Sequence, residues 1–419
     1  MRVLYCIPSY APGLLGNQIH ADVMACWRAA GVASEVLTFA AGLRQPETLL
    51  IDGVPVHRLP LNRTPWEKAA NRAVQPVLRY PYWMGALVRL RRFLLAQGRR
   101  FDLLHIETAF PLAALAVLSG APLPPMAVTL QGADVMAEPE FDYGYARFAA
   151  VRALLRQVFR RAALLRADSP MIARLVVAMG ADPAKTISVP FNITADRFPP
   201  ADEPLERFRA RARATICARH GLDPAVPILL SINRLHPFKG IEFLVEALPE
   251  IQRAVGPVHL LIGGPNRATP RFGDYGAYLQ RRATELGVAG SVRLLGRIEP
   301  AETPLYYAAA DIAGVVSVAE SLSRVAAEAG AVGTPTIVTR TTGISEYVAA
   351  HDAGQVIEPR SGAAVAAAAI HLLRDRALWQ RQSAHGPRLA ALFRSEVIAQ
   401  QLLEAYRALL GAASASGSS

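Results

Sequence analysis

The chain has 419 residues and carries 45 Lys+Arg against 34 Asp+Glu, a net charge of +11 with histidine neutral. Hydrophobic residues make up 52% and charged residues 19%, which excludes a disordered chain and predicts two or three domains with full cores. Three scattered cysteines (Cys6, Cys26, Cys217) exclude a disulfide framework or a cysteine-based zinc site, and no apolar run approaches the roughly 18–20 residues that cross a bilayer.

The opening MRVLYCIPSYAPGLLG is interrupted by Pro8 and Pro12 and reads as a strand and loop, not a signal peptide, so a soluble cytoplasmic protein is expected. Short β-branched or leucine-rich runs then alternate with helical patterns, the mark of a parallel sheet wrapped by helices. In the first half, strands are predicted near Val3–Ile7, Glu35–Phe39, Val54–Leu59, Leu103–Ile106, Met126–Leu130, Leu164–Ala167 and Thr186–Val189. The second half begins again, with strands near Ile228–Ile232, Val258–Ile262, Val292–Leu295, Ile312–Val316, Thr336–Val338 and Gln355–Ile357. Helices are predicted between them, among others over Ile241–Ala254, Arg324–Val332 and Ala363–Leu373. Phe198–Pro227 is rich in proline and charge and has linker chemistry, with Leu205–His220 able to form a helix inside it.

The expected organisation is an N-terminal domain over 1–200, a linker over 201–226 and a C-terminal domain over 227–394. A last helix over 395–411, which could cross back to the N-terminal domain, and a disordered tail over 412–419 complete the chain. The fold class is α/β: two Rossmann-like domains facing each other across a cleft, with ligands at the carboxyl ends of the parallel strands.

The excess positive charge is mostly arginine, since the chain has only three lysines, and it is spread over helices. No zinc-finger spacing, aromatic RNA-binding strand or basic zipper region appears, so nucleic acid is not an expected partner. In WMGALVRLRRFLLAQGRR, Trp83, Leu87, Leu90 and Leu94 share one face, and in VRALLRQVFRR, Arg152, Arg156 and Arg160 form a stripe. The apolar faces are expected to pack on the sheet, while the charge favours peripheral association with an anionic membrane surface.

Chemistry concentrates in three places. In VVSVAESLSRVAAEAGAVGTP a strand runs into a loop bearing Glu320, and a helix starting near Ser323 carries Glu328. The free N–H groups over Leu322–Val325 at that helix start, which include Ser323 and Arg324, form an anion site between two carboxylates. The spacing suits a sugar-diphosphate-ribose ligand, and a carboxylate amid Ala, Val and Gly needs a partner. In ILLSINRLHPFKGIEFLVEAL, Arg234 and Lys239 flank a strand-to-helix turn and can clamp a diphosphate. In PSYAPGLLGNQIHADV, Gly16 opens the first helix to close ligand approach, and His20 is read as a core histidine rather than a base by about two to one.

These segments resemble a family-four glycosyltransferase of the retaining, GT-B type. The matching pieces are GNQIHADV, DLLHIE, TLQGADV, SVPFNITADRF, INRLHPFKG, VRLLGRI, ESLSRVAAE, EAGAVGTP and TTGISEYV, in family order from residue 1 to about 375. The resemblance implies that Arg234 and Lys239 hold the donor diphosphate, Glu320 contacts the donor sugar and Glu328 the ribose. It implies that Gly16 flanks the diphosphate and that backbone at Arg297–Ile298 meets the base. His20, Gln131 and Asp134 are assigned to the acceptor or the reacting sugar. Four positions depart from the pattern. Gln131 stands where the family often has His, Asn233 where Gly is usual, Leu322–Ser323 where Phe-Gly is common, and the usual Gly after Asn192 is missing.

The implied activity is transfer of a sugar from a nucleoside-diphosphate sugar to a glycan or lipid-linked acceptor, in cell-surface polysaccharide or glycolipid synthesis. No Asp-x-Asp pair occurs, so neither a metal nor another cofactor is expected. Two other readings stay open at this point: a sugar-nucleotide epimerase on a similar scaffold, and a non-catalytic nucleotide-sugar-binding protein.

Overall fold

The computed structural model describes residues 1–61, 64–269 and 271–416 and folds the chain into two compact units. One unit comprises Met1–Asn192 together with the chain from Ser395, and the other comprises Ile193–Arg394.

The first unit is built on an eight-stranded sheet: β1 (Arg2–Cys6), β2 (Ala33–Ala40), β3 (Glu47–Ile51), β4 (Val54–Pro60), β5 (Leu103–Glu107), β6 (Met126–Leu130), β7 (Leu164–Ala167) and β8 (Thr186–Ser188). Its order is β3-β4-β2-β1-β5-β6-β7-β8, parallel except for β3, which pairs antiparallel with β4 at the edge. The hairpin turn is Asp52-Gly53, both at positive φ, the conformation that an Asp-Gly turn takes most readily. Strands β5, β6 and β7 are buried along their whole length, as expected where helices cover both faces.

The second unit carries a six-stranded parallel sheet: β9 (Ile228–Ile232), β10 (His259–Gly263), β11 (Val292–Gly296), β12 (Ile312–Val315), β13 (Thr336–Thr339) and β14 (Gly354–Ile357). Its order, β11-β10-β9-β12-β13-β14, is doubly wound. The chain steps away from β9 on one side and returns to place β12 on the other, so β9 and β12 lie adjacent at the point where direction reverses. Loops leaving their carboxyl ends are splayed apart there, which opens a crevice for a ligand.

Three boundaries differ from the sequence expectation. The stretch read as a linker contains the helix Leu205–His220, and all of it falls within the second unit. Phe208, Ala212 and Ile216 recur every four residues and are buried in a core with Leu230, Tyr306 and Tyr307, while the arginines occupy other faces. The first unit ends at Asn192 rather than at residue 200. The last helix, Ser395–Ser416, runs through part of the expected tail, and residues 417–419 lie outside the described residues. Ile398, Leu402 and Tyr406 of that helix pack in the core of the first unit, where the Trp27 indole N–H donates to the Ala399 carbonyl at 3.2 Å.

The apolar faces of the two basic helices are covered. Trp83, Leu90 and Leu94 are buried, as are Val151, Leu155, Val158 and Phe159, while Arg152, Arg156 and Arg160 are exposed. Among the described residues no helix is long and apolar enough to cross a membrane.

Candidate active site

The crevice of the second unit collects the sequence-predicted donor residues. After β9 the chain passes Asn233 and Arg234 and makes a short turn, Pro237–Lys239, whose first free N–H (Phe238) is accepted by His236 Nδ1 at 3.3 Å. Gly240 closes the turn at φ +63°, and a Cβ there would lie 2.2 Å from the Val316 carbonyl oxygen beyond β12. The absence of a side chain therefore lets the two loops touch. The contact is fastened by the Val318 N–H, which donates to the Phe238 carbonyl at 2.8 Å.

That fastening brings Lys239 to Glu320. The ammonium lies 2.5 Å from Oε1, with the side chains 10% and 17% exposed. Ser317 Oγ donates to the other carboxylate oxygen at 2.7 Å. The backbone of Glu320 is held from the far side, its N–H donating to the Thr341 carbonyl and its carbonyl accepting from Gly343. Arg234 is exposed, and its guanidinium and the Lys239 ammonium both lie over the Phe238 ring, at 5.4 and 4.9 Å. The resulting field is positive. His236 between them is held below the usual histidine range by burial and by both cations.

Glu328 lies on the helix Arg324–Ala331, whose N-cap is Ser323. Burial pushes its carboxyl above the usual range, and Arg324 and Arg197 pull it back. Arg197 Nε stands 3.6 Å from Glu328 Oε1, so the partner that an apolar setting demands comes from the SVPFNITADRF segment. Ser323 takes φ +67°, unusual for a residue with a side chain, and its hydroxyl is buried without a hydrogen-bond partner. Leu322 is buried, and its carbonyl accepts from Ile344.

The segment after β11 turns over the end of β10. The Gly296 carbonyl accepts from Gly264, and the Ile298 side chain lies against Gly263, where a Cβ would meet it at 2.3 Å. Arg297 is exposed and pairs with Glu299 at 3.1 Å.

The first unit has its own direction reversal, between β1 and β5. Gly16 is exposed, in a turn just before the helix Gln18–Ala29. His20 is buried, with Nδ1 3.1 Å from the Tyr5 hydroxyl, which also bonds the buried Glu107. Burial would push the Glu107 carboxyl up, but Arg166 at 3.5 Å and the Tyr5 hydroxyl hold it below the usual range. The Gln131 amide donates to Glu107 Oε2 at 2.6 Å. Asp134, expected beside the acceptor, lies under the loop instead. It is 1% exposed, and its two oxygens accept the Ala109 and Gln131 N–H groups at 2.7 and 3.0 Å. It positions the loop that carries Gln131.

Residues 213–388 match the family described as glycosyl transferases group 1, and residues 17–192 match the glycosyl transferase 4-like domain. The chain belongs to the group 1 glycosyltransferases. It is 33% identical over 234 residues to the D-inositol 3-phosphate glycosyltransferase of Segniliparus rotundus, covering 55% of this chain and 48% of that one. It is 29% identical over 325 residues to the GDP-mannose-dependent alpha-(1-6)-phosphatidylinositol monomannoside mannosyltransferase of Mycobacterium tuberculosis, covering 74% of this chain and 77% of that one. The chain spans about half the length of the first of these relatives. Among solved structures it is similar to HepE of Anabaena in complex with UDP (TM-score 0.73, 19% identity, 97% of this chain and 100% of that one). It is equally similar to the sucrose-phosphate synthase of Thermosynechococcus elongatus (TM-score 0.73, 21% identity, 98% and 100%). At these identities the likeness is one of fold, the GT-B fold.

Four contributors to this arrangement were not singled out from the sequence. Phe238 lies under both cations, Ser317 orients Glu320, Arg197 meets Glu328 and Glu107 anchors Gln131. Arg197 and Glu107 sit inside quoted motifs, where a lone charge in an otherwise apolar strand or loop is a usable signal. Ser317 and Phe238 carry none, because serine and phenylalanine are ordinary residues at strand ends and in turns.

Proposed function

We propose that the protein transfers a sugar from a nucleoside-diphosphate sugar to an acceptor hydroxyl, with retention of anomeric configuration and without a metal ion. One observation carries the reading: Lys239 and Glu320 meet at the carboxyl ends of β9 and β12, beside the start of the helix Arg324–Ala331. Arg234, Lys239 and the N–H groups at that helix start take the diphosphate. Glu320 accepts sugar hydroxyls and Glu328 accepts ribose hydroxyls, while the backbone at Arg297–Ile298 meets the base. As the bond from the anomeric carbon to the β-phosphate oxygen breaks, negative charge grows on the leaving diphosphate, and preorganised cations stabilise it. The acceptor oxygen attacks the oxocarbenium-like centre from the same face and passes its proton to the departing phosphate oxygen. Gln131, fixed by Glu107, offers hydrogen bonds to a sugar hydroxyl but neither acid nor base. The names of the relatives support a nucleotide-sugar donor and a glycan or lipid-linked acceptor, in polysaccharide or glycolipid synthesis. They do not favour an epimerase.

A thermal-shift screen of UDP-, GDP- and ADP-sugars identifies the donor, and incubation with acceptor then tests transfer. A retained anomer in the product supports the reading. An inverted linkage, or donor binding with no product from any acceptor, overturns it.

Association with an anionic bilayer is part of the same proposal, and the helix Pro65–Leu78 supports it. This helix buries Glu67, paired with Arg89 at 2.7 Å, and Asn71. Its outer face instead carries Trp66 and Val77, 54% and 56% exposed, with Ala69 and Ala73 between them and Lys68 and Arg72 alongside. An apolar stripe turned to solvent and edged by cations fits an interfacial helix. Vesicle flotation with anionic lipid is expected to be strong, and weak for Trp66→Ser. Equal flotation of both proteins, or none with the wild type, removes the membrane surface from the account.

A further inference from the structure

Glu328 shares its helix with the buried Ala326, Ala327, Ala329 and Ala331, so its charge depends on what reaches it from elsewhere. Arg324 stands one turn earlier on the same helix, and Asp196 and Arg197 come from the turn Ala195–Arg197. Tyr307, on the helix Thr303–Ala309, has a buried hydroxyl without a hydrogen-bond partner, and burial and Glu328 keep it protonated. Among the described residues, Arg197 is the cation within 4.0 Å of the carboxylate: Nε lies 3.6 Å from Oε1, with the side chains 15% and 12% exposed. Arg324 acts from farther off. The more exposed Asp196 lies 3.8 Å from the same Nε.

The other end of the guanidinium is anchored. Nη1 donates to the Pro300 carbonyl and, at 2.5 Å, to the Thr303 hydroxyl, which itself donates to that carbonyl at 2.9 Å. Thr303 is buried. A guanidinium is planar and rigid, so fixing Nη1 also fixes the direction in which Nε points. An ionised carboxylate offers only acceptors, which a pair of ribose hydroxyls needs, whereas a protonated one gives up an acceptor position and adds a donor. Burial favours the protonated form, and a fixed cation opposes it.

We propose that Arg197 is a positioning residue for the nucleoside-diphosphate donor, acting through Glu328: clamped by Pro300 and Thr303, it holds that carboxylate charged and in one orientation for the ribose. The inference rests on the reading of Glu328 as the ribose ligand. It separates the donor site into a nucleoside half, which depends on Arg197, and a diphosphate half at Arg234 and Lys239, which does not.

The test is isothermal titration of UDP, GDP, ADP and inorganic pyrophosphate into the full chain. The nucleotide that the wild type binds most tightly is then titrated into Arg197→Ala, Arg197→Lys, Glu328→Gln and Arg197→Ala/Glu328→Gln, over about pH 5 to 8. At neutral pH, Arg197→Ala is expected to lose roughly tenfold in affinity for the nucleotide and nothing for pyrophosphate. Removing the cation favours the protonated carboxyl, so nucleotide affinity should fall on acidification at a higher pH in Arg197→Ala than in the wild type. Arg197→Lys should move that fall back towards the wild-type position. Glu328→Gln supplies the baseline for titration of the phosphates themselves, and the double variant should bind as Glu328→Gln does. The double variant strands no carboxylate, so its comparison with Glu328→Gln decides the matter if Arg197→Ala fails to fold. An unchanged affinity and pH profile in Arg197→Ala overturns the proposal, as does a double variant roughly tenfold weaker than Glu328→Gln. Equal loss of pyrophosphate and nucleotide in Arg197→Ala also overturns it, since the site as a whole has then collapsed. Wild-type affinity in Glu328→Gln instead overturns the ribose reading beneath it, and the proposal with it.

Discussion

Replacing Lys239 by alanine perturbs two things at once, and the structure gives a way to separate them. The ammonium sits 2.5 Å from a carboxylate that is itself only 17% exposed. Its removal leaves Glu320 with the Ser317 hydroxyl and no cation. Breaking a fully buried pair costs about 3–5 kcal/mol, and with partial exposure and one remaining hydrogen bond about 2 kcal/mol is expected here. The loss of one preorganised positive group at the leaving diphosphate lowers turnover by about 10²–10³, or roughly 3–4 kcal/mol. The variant Lys239→Ala/Glu320→Gln removes the stranded charge. It should regain most of the lost stability, measured by chemical denaturation of the ligand-free protein, while turnover with the donor stays low. If the double variant recovers wild-type turnover, Lys239 serves only to neutralise Glu320 and the diphosphate role is refuted. If Lys239→Ala alone denatures like the wild type, the ion pair contributes nothing to the fold.

Further predictions follow from local geometry. Ser323→Gly is expected to stabilise the protein by roughly 1 kcal/mol, since it relieves φ +67° and removes a buried hydroxyl without a partner; an unchanged or lower denaturation midpoint speaks against strain at this cap. Gly240→Ala places a Cβ 2.2 Å from the Val316 carbonyl at a left-handed φ, so a loss of about 3 kcal/mol and of donor binding is expected; a variant that binds donor normally shows that the two loops need not touch. His105 is pushed down to about 3 by burial, so it stays neutral in the fold while the unfolded chain takes up a proton below pH 6.5. Its contribution is complete above that pH and is lost on acidification, by about 2 kcal/mol at pH 5. His105→Gln should flatten the stability profile between pH 6.5 and 5, and a profile as steep as the wild type's assigns the acid limb elsewhere.

Much of the fold was legible because most inner strands of both sheets are continuous apolar runs. Met126–Leu130, Leu164–Ala167 and Ile228–Ile232 fall where their composition puts them. Glu47–Ile51 is not legible as a strand although Asp52-Gly53 announces a hairpin, because an edge strand exposed at Leu49 and Leu50 has no buried pattern to read. The Leu205–His220 helix is legible as a helix but reads as linker because arginine dominates its composition, while three residues at four-residue spacing do the packing. At the site, the spacing of Arg234, Lys239, Glu320 and Glu328 was visible in one dimension. The pairings of Lys239 with Glu320 and of Arg197 with Glu328 were not, since each joins segments more than eighty residues apart.

The central claim is that a nucleoside diphosphate lies at the carboxyl ends of β9 and β12. A crystal structure of the protein with the nucleoside diphosphate selected by the thermal-shift screen tests it most directly. The account predicts phosphate oxygens within hydrogen-bonding distance of Arg234, Lys239 and the N–H groups following Ser323, and ribose hydroxyls on Glu328. A nucleotide bound elsewhere, with the Lys239–Glu320 and Arg197–Glu328 pairs undisturbed and solvent between them, would contradict it.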